Sequence, residues 1–129
     1  MCASEAVQRF RIAVVDDEPA VRAALRRMLC ATGYCVDLFN SGVALLESLR
    51  VQRTDCVILD YAMPGLTGLE VLSRLRSDRL EIPVIVMTGS DDVNLARRTI
   101  DAGARALLRK PVLAGHVLAV LKAVLGRAH

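Results

Sequence analysis

Five polar side chains with the potential for chemistry each follow a short apolar run of the sequence. They are Asp16, Asp17, Asp60, Thr88 and Lys110. Short apolar runs that stop at polar or turn residues are typical of buried β-strands. In an open parallel sheet, ligands bind outside the carboxyl ends of the strands, at the point where the strand order reverses. We therefore expect these five side chains to converge on one crevice.

Such a cluster indicates a particular chemistry. Three carboxylates beside one ammonium leave an excess of negative charge, and like charges held close together are costly. A hard divalent cation removes this excess, and Mg²⁺ prefers carboxylate, carbonyl and water oxygens. A carboxylate beside a metal ion, the Lys110 ammonium and the Thr88 hydroxyl suits the acceptance of a phosphoryl group. Only Lys110 and Lys122 are lysines among the 17 basic residues, which indicates that a compact, flexible charge is needed at position 110.

The apolar runs alternate with helical patterns along the whole chain. Strands are predicted over 12–15, 34–39, 56–59, 84–87 and 106–108, and helices from Pro19 to a stop at Gly33, over 43–49 and 69–76, from a cap at Asp91 or Asp92 through Ala102, and over 114–125. Strands that are apolar throughout are buried on both faces, and their alternation with helices makes the sheet parallel. We expect a doubly wound, flavodoxin-like α/β fold with five parallel strands in the order 2-1-3-4-5.

The composition excludes several classes of protein. The chain has 129 residues, which suits one domain, and 53% of them are hydrophobic, which excludes disorder. The net charge is only +3 and aromatic residues make up 3%, so we expect no direct binding of nucleic acid. No secretory signal precedes Arg11, and the most apolar stretch, 112–126, is too short to span a bilayer. A cytoplasmic protein without membrane attachment is expected.

The cysteines carry no metal or redox signal. Cys2, Cys30, Cys35 and Cys56 form no C-x-x-C pair and are separated from the two histidines. Neither a zinc site nor a redox motif is predicted, and these residues are interpreted as small apolar side chains in a reducing compartment.

Four strings of the sequence resemble the receiver domain of bacterial two-component response regulators. They are VVDDEP (14–19), LDYAMPGLTGLE (59–70), VMTG (86–89) and GARALLRKP (103–111). Their order and spacing are highly specific, and within the family they are most similar to FixJ-type receivers. The resemblance implies a receiver domain over 10–126, flanked by an N-terminal extension over 1–9 and a C-terminal end over 127–129.

The resemblance assigns an acceptor and a metal site. Asp60 resembles the phosphoacceptor, which takes a phosphoryl group from a sensor histidine kinase or a histidine phosphotransfer protein. Asp17, Asp60 and the backbone carbonyl of Ala62 resemble the protein ligands of Mg²⁺. Asp16 is similar to the carboxylate that reaches the metal directly or through water. Members of the family assist their own phosphorylation and dephosphorylation and are not enzymes for an external substrate.

It also assigns the groups around the phosphoryl oxygens. Thr88 and the backbone N–H groups of Ala62 and Gly89 would hold these oxygens, and Lys110 would pair with another. A cis Lys110–Pro111 bond is implied as well. Phosphorylation would then switch the protein and control an output domain or partner, expected to be transcriptional.

One position departs from the family pattern. Receivers usually carry Tyr or Phe where this chain has Leu107, so the usual movement of that ring behind the threonine cannot operate. We expect the fourth helix, fifth strand and fifth helix to form the surface that responds to phosphorylation, by homodimerisation or partner binding. Leu108 and Leu118 are predicted to be exposed apolar residues on that surface.

Two further groups of residues have structural alternatives. Arg22, Arg26 and Arg27 share one face of the first helix, which is either a surface for the kinase or a solvated face. Asp55 lies at the opposite end of its strand from Asp60 and is interpreted as a turn or cap residue.

Three other functions fit parts of the sequence. A phosphohydrolase of the haloacid dehalogenase type needs a second Asp two residues after its nucleophile, and this chain has Ala62 there. A flavodoxin-like cofactor protein needs a small-residue phosphate loop after the first strand, where this chain has three acidic residues. A DNA-binding regulator needs a helix-turn-helix, and none fits after Leu125.

Overall fold

The computed structural model describes residues 9–127 as five strands that alternate with five helices. The strands are β1 (Arg11–Val15), β2 (Cys35–Phe39), β3 (Cys56–Asp60), β4 (Val84–Thr88) and β5 (Ala106–Arg109). The helices are α1 (Pro19–Thr32), α2 (Gly42–Leu49), α3 (Gly68–Ser77), α4 (Val93–Asp101) and α5 (Ala114–Arg127). Each predicted element is present, and its boundaries agree with the prediction to within two residues. Most of the predicted N-terminal extension and C-terminal end, and with them Cys2, lie outside the described residues.

All strand pairs are parallel, and the sheet order is β2-β1-β3-β4-β5. This confirms the predicted doubly wound fold. The register pairs Val15 of β1 with Leu59 of β3, and Asp60 of β3 with Met87 of β4. The carboxyl ends of the four adjacent strands β1, β3, β4 and β5 therefore meet at one edge of the sheet.

The alternating side chains of the strands form one hydrophobic cluster on each face of the sheet. On the first face, Ile12, Ile58 and Ile85 pack against α1 and α5 through residues such as Leu29 and Leu121. On the second face, Val15, Leu59 and Val86 pack against α2 and α3, with Leu45 and Val71 among their contacts. Because side chains of a strand alternate between faces, these apolar runs must be covered on both sides.

The helix caps explain where several helices begin. Ser41 accepts a hydrogen bond from the Ala44 N–H at the start of α2, as predicted. Asp92, one of the two predicted candidates, caps α4 through the Asn94 N–H. At α3, Thr67 and Glu70 form a reciprocal capping box, which fixes the helix directly after the loop that follows β3.

The prediction that Leu108 is exposed is wrong. Leu108 is 1% exposed and belongs to the first hydrophobic cluster, because strand alternation turns it toward that face. Leu118 is half-buried against the same cluster. Leu107, the residue before Leu108, faces the opposite side of the sheet and packs against the second cluster.

Asp55 has a specific structural role at the start of the sheet. Its Oδ2 atom accepts a hydrogen bond from the Arg11 N–H at 2.8 Å, and its Oδ1 atom lies 3.0 Å from the Arg53 guanidinium. The carboxylate therefore anchors the first residue of β1 and takes no part in the crevice at the other end of the strands.

We expect Gly42→Ala to lower the free energy of unfolding by about 1–3 kcal/mol. A Cβ atom at position 42 would lie 2.6 Å from Val71 Cγ2 and 3.3 Å from Leu66 Cβ. Val71 is fully buried, so α2 and α3 would have to separate. Chemical denaturation monitored by circular dichroism measures the difference.

Gly115→Ala is the matched control for this substitution. A Cβ atom at position 115 meets nothing within 4 Å, so helix propensity should raise stability there by about 0.5 kcal/mol. Equal responses of the two variants would show that the α2–α3 contact is not tightly packed at Gly42.

Candidate functional site

Four of the five predicted polar side chains lie at the carboxyl ends of adjacent strands. Asp16 directly follows β1, Asp60 ends β3, Thr88 ends β4 and Lys110 follows β5. Three of them are largely removed from water, with exposed fractions of 0% for Asp16, 4% for Asp60 and 8% for Thr88. Asp17 lies at the exposed rim of the same crevice. The structure thus brings together all five residues that the sequence singled out.

The Lys110 ammonium is the centre of the charge network. Its Nζ atom lies 2.9 Å from Asp16 Oδ2 and 3.2 Å from Asp60 Oδ2. A third carboxylate, Glu18 Oε1, lies 3.7 Å away at the surface. Burial alone would lower the pKa of Lys110, but the hydrogen bond to Asp16 and the charges of Asp16 and Asp60 raise it above the ordinary value. The side chain therefore stays cationic inside the crevice.

Asp16 is held in place by hydrogen bonds on all sides. Its Oδ1 atom accepts from the Glu18 N–H at 2.9 Å, and its own N–H donates to the Phe39 carbonyl at 3.1 Å. Its carbonyl accepts a hydrogen bond of 2.7 Å from the Arg22 guanidinium. With Oδ2 committed to Lys110, the carboxylate has little freedom to rotate.

Arg22 is the site residue whose role the sequence did not predict. Its guanidinium turns back along α1 to the peptide group that links Asp16 to Asp17. It is half-buried, whereas Arg26 and Arg27 are exposed on the same helix. The basic face of α1 therefore divides into one residue that supports the crevice and two that face the solvent.

Thr88 is oriented by the loop that follows β4. Its hydroxyl oxygen accepts a hydrogen bond of 3.1 Å from the Ser90 N–H, which leaves the hydroxyl proton available to donate. The same pattern continues along the loop. Ser90 Oγ accepts from the Asp92 N–H at 3.0 Å, and Asp92 Oδ1 accepts from the Asn94 N–H at 2.9 Å. A series of side-chain turns thus connects Thr88 to the first turn of α4.

The acidic residues fit a bound cation. One carboxylate oxygen from each of Asp16, Asp17 and Asp60 lies within 4.8 Å of the others. A single nearby ammonium leaves this group with an excess of negative charge, and two of its three members are buried. Oxygen donors in this arrangement suit a hard cation such as Mg²⁺ or Ca²⁺.

The environment of Asp60 destabilises the ionised form of its carboxyl group relative to the protonated form. Burial raises its pKa above the ordinary value, and the charge of Asp16 raises it further. The charge and hydrogen bond of Lys110 and a hydrogen bond from the Ala62 backbone oppose this rise without cancelling it. Protonation of this carboxylate or binding of a cation beside it would therefore stabilise the folded protein.

The two predicted backbone donors lie at the rim of the crevice. Ala62 is exposed and follows Asp60 by two residues, and its backbone hydrogen bond reaches that carboxylate. Gly89 is also exposed, and a Cβ atom there would meet nothing within 4 Å. The Lys110–Pro111 bond is cis, as expected. Open space therefore lies beside Gly89, the residue that follows Thr88.

The sheet order and this crevice define a flavodoxin-like receiver fold. A family model described as the response regulator receiver domain matches residues 12–122. The chain therefore belongs to the response regulator receiver family.

Curated relatives agree with this assignment. The response regulator MprA of Mycobacterium leprae is 44% identical over 118 residues, which are 92% of this chain and 52% of the relative. MprA of Mycobacterium ulcerans is 44% identical over 117 residues, which are 91% of this chain and 50% of the relative. The chain thus spans about half the length of the curated relatives it matches.

Solved structures show the same fold. Full-length FixJ from B. japonicum has a TM-score of 0.88 and 33% identity, over 95% of this chain and 61% of FixJ. The receiver domain of the Francisella response regulator 1452 has a TM-score of 0.90 over 94% of this chain and all of that domain. Its identity is 20%, so this likeness concerns the fold alone.

Two remaining expectations concern membranes and cysteines. Among residues 9–127, no helix has the length and apolar character needed to cross a membrane. Within residues 9–127, Cys30, Cys35 and Cys56 form no disulfide bond, and Cys56 is buried. Burial raises the pKa of Cys56 to about 12, which keeps this thiol neutral within the core.

Asp60→Asn should melt a few degrees higher than the wild type at pH 7 in metal-free buffer. The pKa of Asp60 is higher in the folded protein than its ordinary value, so the folded state binds this proton more tightly. The stability that comes from protonation is present below the unfolded pKa and is lost as the pH rises through the folded pKa. The advantage of the variant should therefore shrink as the pH falls into the ordinary carboxyl range.

Thermal melts of both proteins across this pH range provide the measurement. Glu47→Gln removes an exposed carboxylate from α2 and should leave the melting temperature nearly unchanged at every pH. A lower melting temperature for Asp60→Asn at pH 7 would contradict the electrostatic interpretation.

Proposed function

We propose that the chain is a phosphoacceptor module that receives a phosphoryl group on Asp60. The observation that carries this proposal is the Lys110 ammonium, which lies 3.2 Å from Asp60 and 2.9 Å from Asp16, with the Thr88 hydroxyl at the end of the neighbouring strand. A nucleophile, a fixed positive charge and a hydrogen-bond donor therefore lie together at one edge of the sheet. These are the groups that a transferring phosphoryl group requires.

The chemistry is one displacement at phosphorus. A carboxylate oxygen of Asp60 attacks the phosphorus atom, the bond to the donor nitrogen or oxygen breaks, and an acyl phosphate forms. Lys110 and Thr88 contact the phosphoryl oxygens, and the backbone N–H groups of Ala62 and Gly89 contribute further donors. Because position 62 has no carboxyl group, the chain lacks the general acid of a dedicated hydrolase. It thus acts on its own acyl phosphate and not on an external substrate.

We assign the metal site to Mg²⁺. Asp17, Asp60 and the carbonyl of Ala62 would be its protein ligands, with Asp16 acting directly or through water. When bound, the ion supplies positive charge that neutralises the attacking carboxylate and the phosphoryl oxygens. The chain's own contribution is to hold Asp16 and Asp60 rigidly, through Lys110 and Arg22.

A groove beside the crevice supports docking of a phosphohistidine donor. It has a volume of about 600 Å³ and lies between α1 and the segment after β5. Its lining is mostly apolar, including Val21, Met28 and Val112, and it reaches Lys110 at one end. A sensor histidine kinase or histidine phosphotransfer protein bound there would present its phosphohistidine next to Asp60.

The proposal for the output, the process that phosphorylation controls, rests on the relatives. The matched relatives are response regulators of about twice the span of this chain. We propose a receiver domain over residues 10–126 that acts in the cytoplasm and controls a transcriptional output domain or partner. The structure responsible for DNA contact would lie outside this receiver domain.

Asp60→Asn should abolish labelling by a small acyl phosphate such as acetyl phosphate. The acyl phosphate cannot form on an amide, so an acid-stable or remaining band would arise elsewhere. Wild-type labelling should require Mg²⁺, disappear in EDTA and be sensitive to hydroxylamine. Intact-mass spectrometry and phosphate-affinity gels provide the measurement.

Asp55→Asn is the matched control, at the residue that directly precedes the same strand. Asp55 lies at the opposite end of β3 from the crevice, so this variant should label at the wild-type rate once it is shown to be folded. Full labelling of Asp60→Asn would overturn the assignment of the acceptor.

The surface of α4 supports phosphorylation-dependent association. Val93 and Ile100 are exposed on α4 with Arg97 beside them, and these three residues form the α4 surface. Val93 and Ile100 replace Leu108 as the apolar candidates, because Leu108 is buried. Leu107 pairs in register with Val86, two residues before Thr88, so it lies on the same face of the sheet as that threonine.

We expect the phosphoryl mimic beryllofluoride to increase self-association, and Leu107→Phe to enlarge the difference between the two states. A larger side chain behind Thr88 couples the threonine more tightly to α4, because less space is left for independent movement. Sedimentation velocity with and without the mimic measures the effect. Ile100→Asp should remove the association without loss of phosphorylation, and unchanged sedimentation of both wild type and Leu107→Phe would contradict the switch.

A further inference from the structure

A second concave site lies at the opposite end of the sheet from the acidic crevice. This cavity of about 430 Å³ lies between the C-terminal ends of α3 and α4 and the start of β4. Its floor is apolar, with residues such as Leu75, Ile82 and Val84. Ligand cavities in proteins generally measure about 300–1,000 Å³, so this one is large enough for a small molecule.

Three exposed arginines, Arg76, Arg79 and Arg105, line this cavity. Arg76 donates a hydrogen bond of 3.2 Å to the Asp101 carbonyl, where it complements the C-terminal end of α4. Within residues 9–127, the side chains of Arg79 and Arg105 form no hydrogen bond and no ion pair within 4.0 Å. Glu81 is the one acidic residue in the lining, and it forms no ion pair with either arginine. The charges of Arg79 and Arg105 are therefore uncompensated at short range.

Arg79 occupies a backbone position that favours glycine. Helices α1, α3 and α4 end in the same motif of two backbone hydrogen bonds. In each, two consecutive residues after the helix donate their N–H groups to carbonyls of its last turn. The left-handed residue in this motif is Gly33 after α1 (φ 112°) and Gly103 after α4 (φ 117°). After α3 it is Arg79, with φ 58°, although a side chain in this region is disfavoured.

We propose that this cavity binds a small organic phosphate that carries an apolar ring. Guanidinium groups bind phosphate oxygens through paired hydrogen bonds, and the apolar floor offers contact to a ring. An extended polyanion fits the site less well, because the cationic groups border one recess and the rest of the chain carries mixed charges with a net value of only +3. The site is separate from Asp60, so it does not depend on the proposed phosphoacceptor function.

Phenyl phosphate is a suitable probe for this chemistry. Titration of the ¹⁵N-labelled 129-residue chain without Mg²⁺ should shift the amide signals of Leu80, Gly103 and Arg105 in a saturable manner. Inorganic phosphate should bind more weakly because it lacks the ring, and phenol should bind more weakly because it lacks the charge. The amides beside Asp60 report separately on any binding at the acidic crevice.

Arg79→Gly is the decisive variant. Glycine suits the left-handed backbone, so the melting temperature should be equal to or higher than that of the wild type. Loss of the guanidinium should weaken phenyl phosphate binding about five- to tenfold. Arg105→Gln should weaken binding to a similar extent, whereas Arg27→Gln, an exposed arginine on α1, should leave it unchanged.

Several results would overturn this proposal. One is the absence of saturable shifts at the cavity amides, and another is wild-type affinity in both Arg79→Gly and Arg105→Gln. Equal binding of phenol and phenyl phosphate would exclude a role for the guanidinium groups. Equal binding of inorganic phosphate and phenyl phosphate would exclude the apolar floor, and an equal loss in Arg27→Gln would reduce the effect to overall charge.

Discussion

Two carboxylates with almost no exposure to water share one ammonium in this molecule. Removal of the ammonium would leave both buried carboxylates without a compensating charge, which costs several kcal/mol. Lys110 therefore has to reach Asp16 and Asp60 at the same time, although it lies 94 positions after Asp16 in the sequence. The sheet makes this contact possible, because β1, β3, β4 and β5 are adjacent and parallel and their carboxyl ends lie together. The charge network and the strand order thus depend on each other.

The helices support the same network from both sides of the sheet. Arg22 on α1 fixes the peptide group after Asp16, and the capping box at the start of α3 closes the loop after Asp60. The Tyr61 N–H in that loop also donates to the Met87 carbonyl of β4 at 2.9 Å, and the Lys110 N–H donates to the Thr88 carbonyl at 2.8 Å. The reactive groups are therefore attached to hydrogen-bonded backbone at each strand end, which keeps them in a fixed arrangement.

The sequence predicted the strands, their order and the five converging polar residues because these depend on strong patterns. Apolar runs that end in charged residues specify buried parallel strands, and the ends of such strands lie together by geometry. The position of long side chains follows weaker rules. Arg22 turns inward while Arg26 and Arg27 do not, and no spacing in the helix distinguishes them. Thr67 and Glu70 do carry a recognisable capping signal, T-x-x-E, which would have placed the start of α3 correctly.

The burial of Leu108 shows a different kind of limit. In a strand of four residues, a one-residue error in assigning the faces inverts every side chain. β5 is also the edge strand, where fewer neighbours fix the pattern. Its partner positions on β4 resolve the question, because Met87 and Leu108 are paired and both belong to the first cluster.

The loop after β4 has a mechanical consequence. Ser90, Asp92 and Asn94 each donate their backbone N–H to a side-chain oxygen two residues earlier, and the first of those oxygens belongs to Thr88. If the Thr88 side chain rotates toward the crevice, the Ser90 amide loses its acceptor and the loop must find another arrangement. A rearrangement at Ser90 would also affect the next hydrogen bond, from the Asp92 N–H to Ser90 Oγ, and then the helix cap that Asp92 provides. The Thr88 hydroxyl group at the end of β4 therefore influences the position of the first turn of α4, although the two are not in direct hydrogen-bond contact.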